Sequence, residues 1–306
     1  MGVPKRFVAG VGRVLVTVLA LTLPVAASAA TTPAAIRDGE FVTSDGAHIH
    51  YLQAGTRDTE PALVLIPGWT LTTTLWRGQL DTFSSSRRVI AVDSRSQGAS
   101  SLMQTGNTPE RRAQDLHELL VQLQVKRFVI VGWSQGAQDV AAYILQFGTA
   151  DLAGIAFVDS PVLAGPVELD LHKEFSRQII TGLGVYAAHP ADYAERMVRS
   201  IFKREHPDLD IGAVIASAQR TPSSIGTAML VADIFGADRR PALQKVDKPT
   251  LVIASAESPL LDVQKEMAAS IRGATWVVVP GAGHAVFVDD PATFNHALEA
   301  LLRRGR

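Results

Sequence analysis

Gly132-Trp133-Ser134-Gln135-Gly136 sets a serine on a five-residue G-x-S-x-G turn. The residues before it (128–131) are an apolar run, and those after it (135–147) carry a helical pattern. A serine on so tight a strand-to-helix turn projects its hydroxyl clear of the backbone, and the flanking positions need hydrogen where a side chain would collide. The start of a helix also favours developing negative charge. Such a hydroxyl becomes a nucleophile only when a base takes its proton. Of the eight histidines, only His284 follows the last apolar run, in the small-residue loop Val279-Pro280-Gly281-Ala282-Gly283-His284. His48 and His50 fall on an early strand, His117, His172 and His296 on helices, and His189 and His206 each precede a proline. The base in turn needs a carboxylate on its other ring nitrogen. Asp159, ending the run 154–158, and Glu257, just after the run 250–254, are the candidates, with Asp262 more remote. An oxyanion needs two backbone N–H groups. Gln135, directly after the serine, supplies one, and Trp69, in the loop Ile66-Pro67-Gly68-Trp69, the other.

The elements that must position these residues alternate. Residues 40–43 and 47–53, joined by Ser44-Asp45-Gly46, read as a strand pair with the two-residue period of a half-buried sheet. Short continuous apolar runs follow at 62–66, 88–92, 127–131, 154–158, 250–254 and 275–279, as expected of strands buried on both faces. Helical patterns lie between them at 109–123, 135–147, 261–271 and 291–302. This alternation predicts an α/β fold, a mostly parallel, doubly wound sheet covered on both sides. The stretch 161–240 carries only helical patterns (168–180, 191–202, 211–219, 223–234) and reads as a helical cap inserted after the sixth strand. The core is then 30–160 together with 241–306. A cap here covers the edge where open α/β sheets bind ligands. Trp69, Trp133, Phe175, Tyr186, Phe202 and Met229 are the expected apolar lining.

The first thirty residues are of another kind. Lys5, Arg6 and Arg13 are their only charges, an apolar run of about 12 residues follows, and Ala27-Ser28-Ala29 ends it. That order is expected of an export signal over 1–29, cleaved after Ala29, because a bilayer span needs roughly 20 apolar residues. Cleavage would leave a chain with 26 basic and 30 acidic residues, periplasmic or secreted and without a stable membrane anchor. Composition narrows the rest. The 306 residues are 47% hydrophobic and 19% charged, with a formal charge of −1. That balance excludes a basic nucleic-acid-binding protein and a disordered chain. The absence of cysteine excludes disulfides, thiolate metal sites and Fe–S clusters. No metal or cofactor site is read. Gly182-Leu183-Gly184 follows no strand, so it is no phosphate loop. The expected partner is a small-molecule substrate.

Together these residues resemble the α/β-hydrolase superfamily over essentially the whole chain after the leader. The resemblance is nearest the cofactor-free haloperoxidase, esterase and perhydrolase-like group. The order Ser, acid, His agrees with it. Asp93-Ser94-Arg95-Ser96-Gln97-Gly98-Ala99-Ser100 is similar to the family's D-x-R-G-x-G-x-S loop, with Ser96 for the first glycine. Ile66-Pro67-Gly68-Trp69 is similar to its H-G-(F/W) segment, with Pro67 for histidine. In Pro249-Thr250-Leu251-Val252-Ile253-Ala254-Ser255-Ala256-Glu257-Ser258, Ser258 stands where the family usually has its triad aspartate, and Ser255 where it has glycine. Some members carry the acid at the strand end that is here Asp159, which favours Asp159 over Glu257.

The resemblance implies a serine hydrolase of small carboxylic esters acting through an acyl-enzyme. Its alternatives on the same fold are a cofactor-independent dioxygenase and a perhydrolase or haloperoxidase-like activity. A non-catalytic binding protein is disfavoured by the intact Ser134/His284 pair.

Overall fold

A computed structural model of the chain describes Met1, Gly2 and residues 34–56 and 60–305. Apart from Met1 and Gly2, the expected leader, 1–29, lies outside the described residues. Strands β1 (Arg37–Val42), β2 (His48–Ala54) and β3 (Ala62–Ile66) lead to helix α1 (Arg77–Ser84), strand β4 (Val89–Val92) and helix α2 (Pro109–Gln122). Strand β5 (Phe128–Trp133), helix α3 (Gln135–Phe147) and strand β6 (Leu152–Val158) follow. Eight helices or helical turns then pass before the sheet resumes. They include α4 (Glu168–Leu171), α5 (Lys173–Ala188), α6 (Pro190–Ser200), α7 (Ile211–Gln219) and α8 (Ser223–Val231), which runs into a π-helical turn, Ala232–Gly236. Strand β7 (Thr250–Ser255), helix α9 (Leu261–Ser270), strand β8 (Thr275–Val279) and helices α10 (Val286–Asp289) and α11 (Pro291–Arg304) close the chain.

The strands form one eight-stranded sheet in the order β1-β2-β4-β3-β5-β6-β7-β8. Only the β1–β2 and β2–β4 pairs are antiparallel. Successive residues of each central strand feed opposite faces. Leu63, Leu65, Val129 and Val131 join Phe294, Leu298 and Leu301 of α11 on one side. Val64, Ile66 and Ile130 join Leu116, Leu119 and Leu120 of α2 and Val140 of α3 on the other. That two-sided burial is why these strands read as continuous apolar runs. Strand β8 departs from the expectation. It is the sheet's edge, and of its five residues only Val279 is buried.

Helix ends follow local chemistry. The Thr108 hydroxyl accepts the Arg111 amide ahead of Pro109, and the Asp290 carboxylate accepts the Thr293 amide ahead of Pro291. Helix α1 is not evident in the sequence: it is short and polar, and buries mainly Leu80 and Phe83.

The register aligns the strand ends that matter. Gly132 pairs with Ile66 and Phe157, Trp133 with Val158, and Val158 with Ile253. Ser134 and Asp159, the next residues along, therefore emerge at one edge of the sheet. The turn between β5 and α3 is closed by backbone contact. A Cβ on Gly132 would sit 2.3 Å from the Gly136 carbonyl oxygen, and one on Gly136 would sit 2.9 Å from that of Ile66. Gly132→Ala therefore forces β5 and α3 apart. We expect it to lose at least ~1–3 kcal/mol of stability, the usual cost of overpacking a core, measured by urea unfolding. Unchanged stability would show that the turn has slack.

Candidate active site

Ser134 is held at φ 55°, ψ −119°, a conformation a non-glycine residue adopts only under constraint. Its amide donates to the Val158 carbonyl (3.0 Å), and its carbonyl accepts the Ala137 amide (2.9 Å). The side chain thus stands at the start of α3, at the mouth of β5.

Asp159 is also left-handed, at φ 46°, and its amide is tied to the Ile253 carbonyl at 2.8 Å. Its buried carboxylate has both oxygens engaged. Oδ1 accepts the Ser255 amide (2.9 Å), and Oδ2 lies 2.7 Å from His284 Nδ1. The structure brings Asp159, not the alternative acid, to His284. Glu257 is half exposed and pairs with Lys203 Nζ at 2.7 Å. Its backbone amide is turned onto the Ser255 hydroxyl (3.0 Å), and its side chain leads away towards Lys203. Asp262 lies in the first turn of α9.

The loop carrying His284 is fixed from three directions. Ser255 Oγ donates to the Ala282 carbonyl (2.6 Å), and the Trp133 indole N–H donates to the His284 carbonyl (2.9 Å). The buried Asp289 carboxylate accepts the amides of Gly283 (2.6 Å) and Lys203 (2.8 Å), and its other oxygen meets His206 Nε2 (2.6 Å). Gly283 is the required residue there, since a Cβ would lie 2.6 Å from the Ile201 carbonyl. Asp289 thus ties the histidine loop to the helical segment after β6.

On the other side of the serine, Gly68 passes so close that a Cβ on it would lie 3.1 Å from Ser134 Cβ. Gln97 clamps this loop. Its amide donates to the carbonyls of Leu71 (2.9 Å) and Gly68 (3.2 Å), while its oxygen accepts Thr70 N–H (3.0 Å) and Gln135 Nε2 (2.9 Å). The clamp holds together the two segments whose Trp69 and Gln135 amides sequence reasoning names as oxyanion donors. Ser96, standing where the related loops have glycine, adopts φ 64°, with its hydroxyl accepting the Met103 amide at 2.9 Å. A serine tolerates the left-handed position here because local hydrogen bonds hold it.

Ser134, Asp159 and His284 line one cavity of about 580 Å³, shared with Trp69, Phe175 and Phe202. Among the described residues, Ser134 Oγ makes no hydrogen bond to His284; catalytic bonds of this kind often tighten only in the complex with substrate. Three residues expected in the lining lie elsewhere. Trp133 is buried against Trp76 and Phe287, and Tyr186 and Met229 sit behind Trp69 in a small separate cluster. Sequence reasoning missed Gln97, Ser255 and Asp289. Each acts through a contact distant in the chain, and only the glutamine's place in the D-x-R-G-x-G-x-S-like loop hinted at one.

Behind the cavity, Asp233 joins a buried charged cluster. Asp233, on the π-helical turn, accepts Arg112 Nη2 at 2.5 Å, and Arg112 also grips Asp139 (2.7–3.0 Å). Burial pushes the Asp233 carboxyl up to about 7, against the pull of Arg112, and burial likewise raises Asp139. Among the described residues, no group of three or more His, Cys, Asp or Glu side chains could hold a metal ion.

A raised carboxyl pKa has a definite consequence for stability. Between about pH 4 and 7 the folded protein keeps a proton that the unfolded chain releases. The Asp233 contribution is therefore fully present below about pH 4 and is lost as pH rises through 7. We expect Asp233→Asn to flatten the fall in unfolding free energy between pH 4.5 and 7.5 relative to the unsubstituted protein, measured by denaturant titration. Parallel profiles would show that Asp233 titrates normally.

Residues 63–297 match the alpha/beta hydrolase family. A 3-oxoadipate enol-lactonase of Acinetobacter baylyi is 27% identical over 271 residues, covering 87% of this chain and 97% of the relative. A non-heme chloroperoxidase of Streptomyces lividans is 26% identical, covering 87% and 99%. A thermophilic esterase of Thermogutta terrifontis superposes with a TM-score of 0.73 at 25% identity, covering 88% and 99%. With the family match running from β3 to α11 and including the serine turn and the histidine loop, this chain belongs to the alpha/beta hydrolase family.

Proposed function

We propose that this protein is a serine hydrolase of small carboxylic esters, lactones included. The observation that carries the reading is the 2.7 Å contact between His284 Nδ1 and the buried Asp159 carboxylate, in the cavity that Ser134 lines. With Nδ1–H donated to Asp159, the neutral ring presents Nε2 as a base. Nε2 takes the Ser134 proton as Oγ attacks the ester carbonyl, and the amide N–H groups of Trp69 and Gln135 stabilise the oxyanion. Collapse expels the alcohol, protonated by His284. Water, deprotonated by the same nitrogen, then attacks the acyl-serine and releases the acid. The relatives named as esterases and an enol-lactonase support the ester class.

A second reading rests on the relatives named non-heme chloroperoxidase. Hydrogen peroxide in place of water would attack the same acyl-serine and release a peroxycarboxylic acid. That acid oxidises halide to hypohalous acid and returns to the carboxylic acid. The two activities share Ser134.

The test is hydrolysis of p-nitrophenyl acetate and butyrate, beside halide oxidation in acetate and peroxide. We expect ester turnover, lost by roughly 10³-fold or more in Ser134→Ala, with any halide oxidation lost in parallel. Ester turnover that survives the substitution would refute the acyl-enzyme. Oxygen uptake without ester turnover would point to the oxygenase alternative.

A further inference from the structure

The two amides read as oxyanion donors, of Trp69 and Gln135, donate to no other group among the described residues. They are aimed by different means. Gln135 follows the Ser134 carbonyl, which the Ala137 amide fixes (2.9 Å) within the first turn of α3. Trp69 has no helix to hold it. It is the second residue of a tight turn, Gly68 to Leu71, closed by the Leu71 amide on the Gly68 carbonyl (3.1 Å). Thr70, the third residue, stands at φ 57°, whereas Trp69 is not left-handed. That is a type II turn with threonine at the position glycine normally fills. A β-branched residue is an outlier there. The buried Thr70 hydroxyl has no hydrogen-bonding partner among the described residues, so its own side chain does nothing to offset the strain.

Gln97 holds the turn instead. It is 1% exposed, and all four hydrogen bonds of its side chain go to the two donor segments. Nε2 faces the carbonyls of Gly68 and Leu71, and Oε1 faces the Thr70 amide and Gln135 Nε2, so the amide has one consistent orientation. A trans peptide unit is planar, with its C=O and N–H opposed. Pinning the Gly68 carbonyl therefore fixes the direction of the Trp69 N–H. It does so in a segment so close to the nucleophile that a Cβ on Gly68 would lie 3.1 Å from Ser134 Cβ. Pinning the Thr70 N–H keeps the turn's central peptide in the type II orientation, which threonine alone would leave for type I. The clamp is itself braced. The Gln97 amide donates to the Ser94 carbonyl (2.9 Å), and the buried Asp93 carboxylate accepts the amides of Thr73 (2.7 Å) and Ala99 (2.9 Å).

We propose that Gln97 is a positioning residue for the reaction, which aims the Trp69 N–H at the oxyanion by holding the Gly68–Leu71 turn in its strained form. The proposal rests on the ester-hydrolase reading. It assigns part of the transition-state stabilisation to a side chain that does not line the cavity.

The test compares two competitive inhibitors of p-nitrophenyl butyrate turnover. Ser134 Oγ adds to a trifluoromethyl ketone, its proton passes to His284, and the carbonyl electron pair becomes an oxyanion between the two amides. The matching methyl ketone binds as the intact carbonyl. The ratio of their inhibition constants reads oxyanion stabilisation apart from ground-state binding. It is read on the active fraction, so partial unfolding does not alter it. Gln97→Met removes all four hydrogen bonds. Gln97→Asn, neutral and one methylene shorter, cannot reach all four partners and serves where the methionine variant does not fold. We expect the preference for the trifluoromethyl ketone to fall about tenfold or more in either variant, with kcat falling alongside and KM little changed. Removing an oxyanion donor outright costs about 10²–10³ in kcat. An unchanged ratio, or equal weakening of both ketones, would overturn the proposal, because a merely structural glutamine would act on stability and binding alone. An unsubstituted protein that holds the trifluoromethyl ketone no more tightly than the methyl ketone would remove the hydrolase reading, and the proposal with it.

Discussion

The Asp159 carboxylate bridges the ends of three neighbouring strands. It leaves β6, accepts an amide from the last residue of β7, and reaches the histidine loop that follows β8. This contact is only as good as the register beneath it, where Val158 lies beside Ile253 and Ser255 beside Val279. Slipping either pair would move the acid away from the ring. The left-handed backbone at Asp159 and at Ser134 is strain that the buried sheet around them can hold.

A second layer of contacts turns that register into a fixed site. Ser255 acts twice, with its amide on Asp159 and its hydroxyl on the Ala282 carbonyl, so one residue at the end of β7 aligns both acid and base. Asp289 collects amides from the histidine loop and from the helical segment, making the cavity's cover and its base parts of one hydrogen-bonded unit. Gln97 does the same for the loop beside the serine. Rigid support of this kind lets a site present groups to a reacting carbonyl without reorganising.

How much of this is legible in the sequence follows from how local each feature is. The central strands are buried on both faces and read as unbroken apolar runs, and α2 and α11 begin at capped prolines. The serine turn is equally local, because its glycines are demanded by neighbours a few residues away. Strand β8 reads like a central strand, since its valines do not reveal that one edge is unpaired. Helix α1 has too few apolar residues to show a period. The acid is ambiguous from sequence because Asp159 and Glu257 follow adjacent strands. What separates them is the direction of each side chain, set by the turn after each strand and by Lys203 from a distant segment. The contacts of Gln97, Ser255, Asp289 and Asp233 span many residues of chain or join different elements, and leave no local pattern.

The account stands or falls on Asp159 acting through His284 on Ser134. The most direct measurement is the rate at which a fluorophosphonate labels the protein, with the site located by peptide mass mapping. The account predicts a single adduct on the peptide containing Ser134, formed orders of magnitude more slowly in Asp159→Asn and at an unchanged rate in Glu257→Gln. Labelling that is indifferent to Asp159, slowed by Glu257→Gln, or located on another residue would contradict it.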